Sequence, residues 1–253
     1  MLHFLSPRVL YRLCSLLVAT MTHGFALRQG DAPTITRRWG QRLSKLLGFE
    51  VVVEGAEPES GGLLIASHRS YSDVPVLMGL CPCRFLSKAE VRSWPIIGWA
   101  AARAGTIFVQ RSDPKSRKSA RAQLRTLLQD GSFVMVFPEG TTTPKGTLAP
   151  LRPGMFREAV EAQLPVTLVA IEYDEADCAW TSEESFLVHF ARVFRTASLT
   201  VRVFFSEPLL PVEGEECAAF QGRCERWLRE KIGELNGLVG PAPAPDQLFD
   251  PQA

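Results

Sequence analysis

Between residues 50 and 172, short apolar runs alternate with stretches of helical periodicity, and this rhythm is the strongest constraint on the fold. Strands are expected at Glu50–Val53, Leu63–Ser67, Arg84–Ser87, Thr106–Gln110, Ser132–Phe137 and Val166–Glu172. Helices are expected at Val74–Leu80, at Trp94–Ala102 opened by Pro95, from Asp113-Pro114 to Gln129, and at Met155–Gln163. Alternating strands and helices give an α/β fold: a single domain with a largely parallel sheet flanked by helices. A further strand at Leu199–Phe205 follows. The helix expected over Glu215–Leu235 carries Phe220, Trp227, Leu228 and Ile232 on one side. Residues 51–238 form this domain, and residues 239–253, rich in Pro and Ala from Gly240, a loose tail.

In open α/β sheets, ligands bind outside the carboxyl ends of the strands. His68, Lys88, Arg111 and Glu139 each lie just past such an end. His68 opens the polar turn Ser-His-Arg-Ser-Tyr-Ser-Asp, residues 67–73, directly after Leu63-Leu64-Ile65-Ala66. A neutral imidazole takes a proton near neutral pH, and a carboxylate such as Asp73 fixes its tautomer and stabilises the imidazolium. On a straight helix two residues five apart point about 140° away from each other, so the pair meets only if the chain bends between them. Each residue also has a plain structural reading. A lone His at a strand end such as His68 is more often structural than catalytic, and its neighbour Asp73, preceding Val74-Pro75, is placed to cap a helix. Lys88 fits a solvated loop, Arg111 a pair with Asp113, and Pro138-Glu139-Gly140 an ordinary turn. Four such readings holding together is the weaker explanation.

The amino-terminal fifty residues differ from the rest. Val9–Leu27 is mostly apolar but is interrupted by Arg12, His23 and Gly24, so it either spans a bilayer or dips into one. After Asp31-Ala32-Pro33, the residues Ile35, Trp39, Leu43, Leu46 and Leu47 recur at helical spacing, with Arg37, Arg38, Arg42 and Lys45 between them. That pattern suits a basic amphipathic helix lying on anionic lipid, or a surface helix packed on the domain. The net charge of the whole chain is only +1, yet residues 1–50 hold seven Arg or Lys against Asp31 and Glu50. Residues 1–50 are therefore expected to associate with a membrane, and nucleic acid is not an expected partner. The six cysteines fall into no metal-ligand spacing and read as reduced thiols facing the cytosol.

The ordered motifs resemble a known family. His68-Arg-Ser-Tyr-Ser-Asp73 is similar to the H-x-x-x-x-D motif of the glycerolipid acyltransferases, the lysophosphatidic acid acyltransferase family. Gly105–Arg111, Phe137-Pro-Glu-Gly-Thr141 and Leu164–Ile171 resemble its second, third and fourth motifs, in the family's order. Lys88-Ala-Glu90 with Pro95 and Gly98 matches the stretch between the first two, and Gly154 and Phe156 the stretch after the third.

The resemblance implies acyl transfer to a lysolipid, with His68 as general base and Asp73 orienting it. Arg111, Glu139, Gly140 and Thr141 would shape the acceptor site, with Lys88 also on that rim. Glu139 would position Arg111 or accept from a glycerol hydroxyl. The implied donor is acyl-coenzyme A or acyl carrier protein, as co-substrate rather than cofactor, and no metal is called for. The implied acceptor is a lysophospholipid, 1-acyl-sn-glycerol-3-phosphate first, with lyso-ornithine lipid or another lysolipid as the alternative. The implied setting is the cytoplasmic face of a membrane, the inner membrane in a bacterium. A lipid-binding module without catalysis is the reading from another class, and intact His68 and Asp73 oppose it. A serine hydrolase would need a Gly-x-Ser-x-Gly elbow, which is lacking.

Two departures stand out. Many lysophosphatidate enzymes carry Arg after Phe-Pro-Glu-Gly-Thr, where this chain has Thr142, leaving Arg152 or Lys145 as substitutes. Trp180–His189, leading into Ser198–Phe205 and Pro208, resembles a bacterial subset that includes enzymes acting on lyso-ornithine lipid, and makes His189 a structural residue.

Overall fold

A computed structural model describes residues 6–27, 32–55, 57–59, 61–94, 96–181 and 184–237. The helix-opening roles of Asp31 and Pro95, and the tail from residue 239, lie outside the described residues. Seven strands form one sheet in the order β1-β7-β6-β2-β5-β3-β4. They are β1 (Phe49–Gly55), β2 (Leu63–Ala66), β3 (Arg84–Lys88), β4 (Ile107–Val109), β5 (Val134–Val136), β6 (Val166–Tyr173) and β7 (Leu199–Phe205). Neighbours from β6 through β2, β5 and β3 to β4 are all parallel. β7 runs antiparallel to β6, and β1 parallel to β7, so one edge of the largely parallel sheet is reversed.

Side-chain patterning explains the positions. β2, β5 and β6 are buried at every residue, as central strands covered on both faces must be. In β7 buried Leu199, Val201, Val203 and Phe205 alternate with half-buried residues. Leu64, Met135, Val169, Ile171 and Val201 pack into one core with Leu47, Val76, Leu77 and Phe190. Leu63, Ile65, Val134 and Leu168 point the other way, onto Leu124, Phe156, Phe220 and Leu228. The sheet therefore lies between two helical layers. One contains α2 (Ala32–Leu47), α3 (Asp73–Leu80) and α7 (Phe186–Val193); the other contains α5 (Pro114–Gln129), α6 (Gly154–Glu161) and α8 (Cys217–Leu235). α4 (Ile97–Arg103) begins later than its sequence suggests, after a 3-10 turn at Ala89–Ser93.

α1 (Pro7–Ala26) is long and apolar enough to cross a membrane by length and composition. It nonetheless lies along the domain. Near its start the Arg12 guanidinium donates to the carbonyls of Phe194 (3.0 Å), Thr196 (2.6 Å) and Ala197 (2.8 Å), just beyond α7. Near its end Gly24 sits against Trp99 of α4, where a Cβ would come within 2.3 Å of the indole. Those two contacts are about 18 Å apart along the helix axis. α2 in turn packs backbone to backbone on α3: a Cβ on Gly40 would lie 2.3 Å from Gly79 N and 2.6 Å from Pro75 O.

Candidate active site

The turn after β2 folds back on itself because Asp73 holds it there. Asp73 is the first residue of α3, but its carboxylate does not cap that helix. Oδ2 accepts instead from the backbone N–H of Arg69 (2.7 Å) and Ser70 (3.0 Å), the residues preceding it. This closes the bend that the sequence demanded and brings His68 Nδ1 to 2.7 Å from the same oxygen. A carboxylate only accepts, so the imidazole carries its proton on Nδ1 and keeps the Nε2 lone pair free. The His68 ring stacks on Phe137 at 3.9 Å between centroids and remains part-exposed, whereas Asp73 is fully buried. Ser67 anchors the other end of the turn, accepting from Ile171 N at 3.0 Å on neighbouring β6.

Glu139 lies past β5, next to β2 in the sheet, and is buried. Its carboxylate accepts from His68 N (2.8 Å), Ala149 N (2.8 Å) and the Thr143 hydroxyl (3.0 Å). The expected pairing with Arg111 is not what the chain builds: Glu139 holds the backbone of the His68 turn. Burial pushes the Glu139 carboxyl up from its ordinary value, and the Arg69 guanidinium works against that. Arg111 donates instead to the Gly140 carbonyl at 3.2 Å. Arg152 approaches the same glycine: a Cβ there would lie 2.6 Å from both Arg111 Nη1 and Arg152 Nε. Gly140 has φ +72°, so its backbone favours glycine as well. Burial, then the charge of Arg152, lowers the Arg111 pKa. Two like-charged guanidiniums over one glycine leave a place that suits an anion. Thr141 is exposed beside them. Lys88 is exposed at the end of β3, paired in register with Val109. Lys145 is engaged elsewhere, on the Asp174 carbonyl at 2.6 Å.

Three buried residues that the sequence did not point to complete the arrangement. Arg69, fully buried, donates from Nε to Glu172 Oε1 at 2.7 Å and from Nη1 to the Thr143 hydroxyl. Tyr173 donates its phenol to Asp73 Oδ1 at 2.8 Å. A pairing of Arg, Glu and Tyr across about a hundred residues leaves no local spacing to read. His189 is buried and bridges the Tyr71 hydroxyl (3.0 Å) and the Ala179 carbonyl (3.2 Å), in keeping with a structural role.

A buried carboxylate fixing a part-exposed imidazole at the carboxyl ends of parallel strands, with paired guanidiniums on the same rim, is the equipment of a group-transfer enzyme. The family model for acyltransferases matches residues 49–172. A lyso-ornithine lipid O-acyltransferase of Pseudomonas aeruginosa is 36% identical over 77% of each chain. A 1-acyl-sn-glycerol-3-phosphate acyltransferase of Neisseria meningitidis is 28% identical over 89% of this chain and 93% of its own. In structure, the 1-acyl-sn-glycerophosphate acyltransferase of Thermotoga maritima superimposes with a TM-score of 0.66 over 90% of this chain and 94% of its own, at 22% identity. The chain belongs to the acyltransferase family.

Proposed function

We propose that the protein is a membrane-bound O-acyltransferase that moves a fatty acyl chain from a thioester of coenzyme A or acyl carrier protein to the free hydroxyl of a lysolipid. The observation that carries this reading is the His68–Asp73 contact on the strand-end rim. The acceptor hydroxyl gives its proton to His68 Nε2 as its oxygen bonds to the thioester carbonyl carbon. The tetrahedral intermediate then collapses, the C–S bond breaks, and the leaving thiolate takes the proton back as a thiol. Asp73 keeps the tautomer and stabilises the imidazolium between the two steps. Arg111 and Arg152 grip the anionic head group, 1-acyl-sn-glycerol-3-phosphate in the first instance. Thr142 and the likeness to the Pseudomonas enzyme favour lyso-ornithine lipid as the second reading.

The membrane side of the proposal rests on α1 and its surroundings. Leu10, Tyr11, Leu17, Val18, Met21 and Phe25 of α1 are exposed, as are Trp94 and Ile97. Phe25 meets Trp99 edge to face at 5.2 Å, so the apolar row continues onto α4. Such a surface suits a helix lying in the interfacial plane.

Thiol release from palmitoyl-coenzyme A, with and without lysolipid, tests the chemistry. Release is expected only with an acceptor; release without one indicates a hydrolase, and none under either condition a binding module. His68→Ala is expected to lower acceptor-dependent release by about 10²–10⁴-fold, the usual range for a lost general base. Retention of most activity would overturn the mechanism.

A further inference from the structure

Asp73 uses its two oxygens differently. Oδ2 is saturated by His68 Nδ1, Arg69 N and Ser70 N. Oδ1 takes the phenol of Tyr173, the last residue of β6. β6 is the parallel neighbour of β2, in register Ala66 to Val169, so the strand that launches the His68 turn and the strand that delivers Tyr173 are locked together. Tyr173 is itself 2% exposed and its ring packs against Phe49. We propose that Tyr173 is a positioning residue for the reaction, acting through Asp73 Oδ1 to set both the orientation and the effective charge of the carboxylate that faces His68. This rests on the reading of His68 as general base.

Two physical consequences follow from one hydrogen bond. Without it the carboxylate is fixed at one oxygen only and is freer to rotate about the Cβ–Cγ bond. The phenol also draws charge towards Oδ1, so the imidazolium meets a weaker partner than a bare carboxylate. Burial, then the nearby Asp73 charge, pushes the Tyr173 pKa well above its ordinary value, so the phenol stays a donor across the working range. The other charged or titratable groups facing the pair hold different places. The Arg69 guanidinium is turned onto Glu172 and Thr143, Glu139 holds His68 N, and Tyr71 and Cys178 lie on the Tyr173 side. Among the described residues, the phenol of Tyr173 is the hydrogen-bond partner of Oδ1.

The test is the pH profile of kcat/KM for purified full-length protein with saturating acyl donor. Tyr173→Phe keeps the ring and removes the hydroxyl. With the carboxylate charge undiluted, the imidazolium is stabilised, and the acidic limb is expected to move up by about half a unit to one unit. kcat is expected to fall roughly 3- to 30-fold, with KM for the acceptor changed less than about twofold. Replacing Tyr173 by 3-fluorotyrosine, a more acidic donor, is expected to move the limb the opposite way with the fold intact. A purely structural role would lower the melting temperature and leave the limb in place. If neither replacement moves the limb, the proposal is overturned. His68→Ala separates this from the underlying reading: an active His68→Ala would sink the general-base mechanism itself. An inactive His68→Ala beside an unshifted Tyr173→Phe would sink only the role of Tyr173.

Discussion

Arg69 shows how much of this site is held from beneath. Its guanidinium is fully buried, is in contact with Glu172, and is 3.9 Å from Glu139. Burial pushes both carboxyls up, and Arg69 is the main opposing influence on each. Removing one partner of a buried ionic cluster leaves the others uncompensated, at about 3–5 kcal/mol. Arg69→Ala is therefore expected to lose that much stability in urea denaturation, and Arg69→Lys to recover only part, because a point charge cannot serve Glu172 and Thr143 with a planar fork. A loss below about 1 kcal/mol for Arg69→Ala would contradict this account. His68 and Arg111 were legible in the sequence because each follows an apolar run at a strand end, and Asp73 because it comes five residues after His68. Arg69, Glu172 and Tyr173 were not. Arg69 sits one residue after His68 and looks like turn filler, while Glu172 and Tyr173 end an apolar strand. Their partners lie 103 and 100 residues away in the chain.

At the scale of elements, the residues that make α1 look like a flawed membrane span are those that dock it. Arg12 binds the carbonyls beyond α7, His23 stacks on Trp39 of α2 at 4.8 Å, and Gly24 admits Trp99. Hydropathy sees three interruptions; only the tertiary structure shows that they share one side of the helix. The basic pattern of α2 was readable directly, and Arg38, Gln41, Arg42 and Lys45 line a groove of about 430 Å³ on its exposed side. Each cation near an anionic surface contributes about 1 kcal/mol. Neutralising Arg38, Arg42 and Lys45 to Gln should therefore weaken flotation with anionic liposomes by roughly 150-fold, with little effect on neutral ones. Equal loss on both would point to apolar insertion by α1 as the whole attachment. Gly40 sets how closely α2 approaches α3, the helix that begins at Asp73. Gly40→Val is expected to cost about 1–3 kcal/mol through overpacking against backbone that has no room to yield. Thermal unfolding at the wild-type temperature would count against that contact.

Over the whole molecule, the reversed edge of the sheet changes what surrounds the His68 turn. Because β7 returns antiparallel to β6, the connection between them leaves and re-enters the sheet at the rim that carries the His68 turn. Trp180 N donates to the Arg69 carbonyl at 2.8 Å, and the Thr142 hydroxyl donates to the Trp180 carbonyl. Tyr71 packs against Trp180 and Phe186 within 5.4 Å. Thr142 thus pins an aromatic wall, while Arg111 and Arg152 lie against Gly140. A bidentate, charge-assisted contact is worth roughly 1.5–3 kcal/mol, so Arg111→Ala should lower kcat/KM for a phosphate acceptor by about 10- to 150-fold. Thr142→Arg adds a cation and releases Trp180, and is expected to raise the preference for lysophosphatidate over lyso-ornithine lipid and larger lysolipids. Thr142→Val removes the hydroxyl without adding charge and should not raise that preference, which separates the cation from the wall. The measurement is an acceptor panel with wild type and the three variants under one donor. An unchanged kcat/KM in Arg111→Ala would remove Arg111 from the head-group site. An unchanged ratio in Thr142→Arg, with Arg111→Ala still impaired, would turn position 142 away from the head group and leave the two guanidiniums over Gly140 as the anion grip.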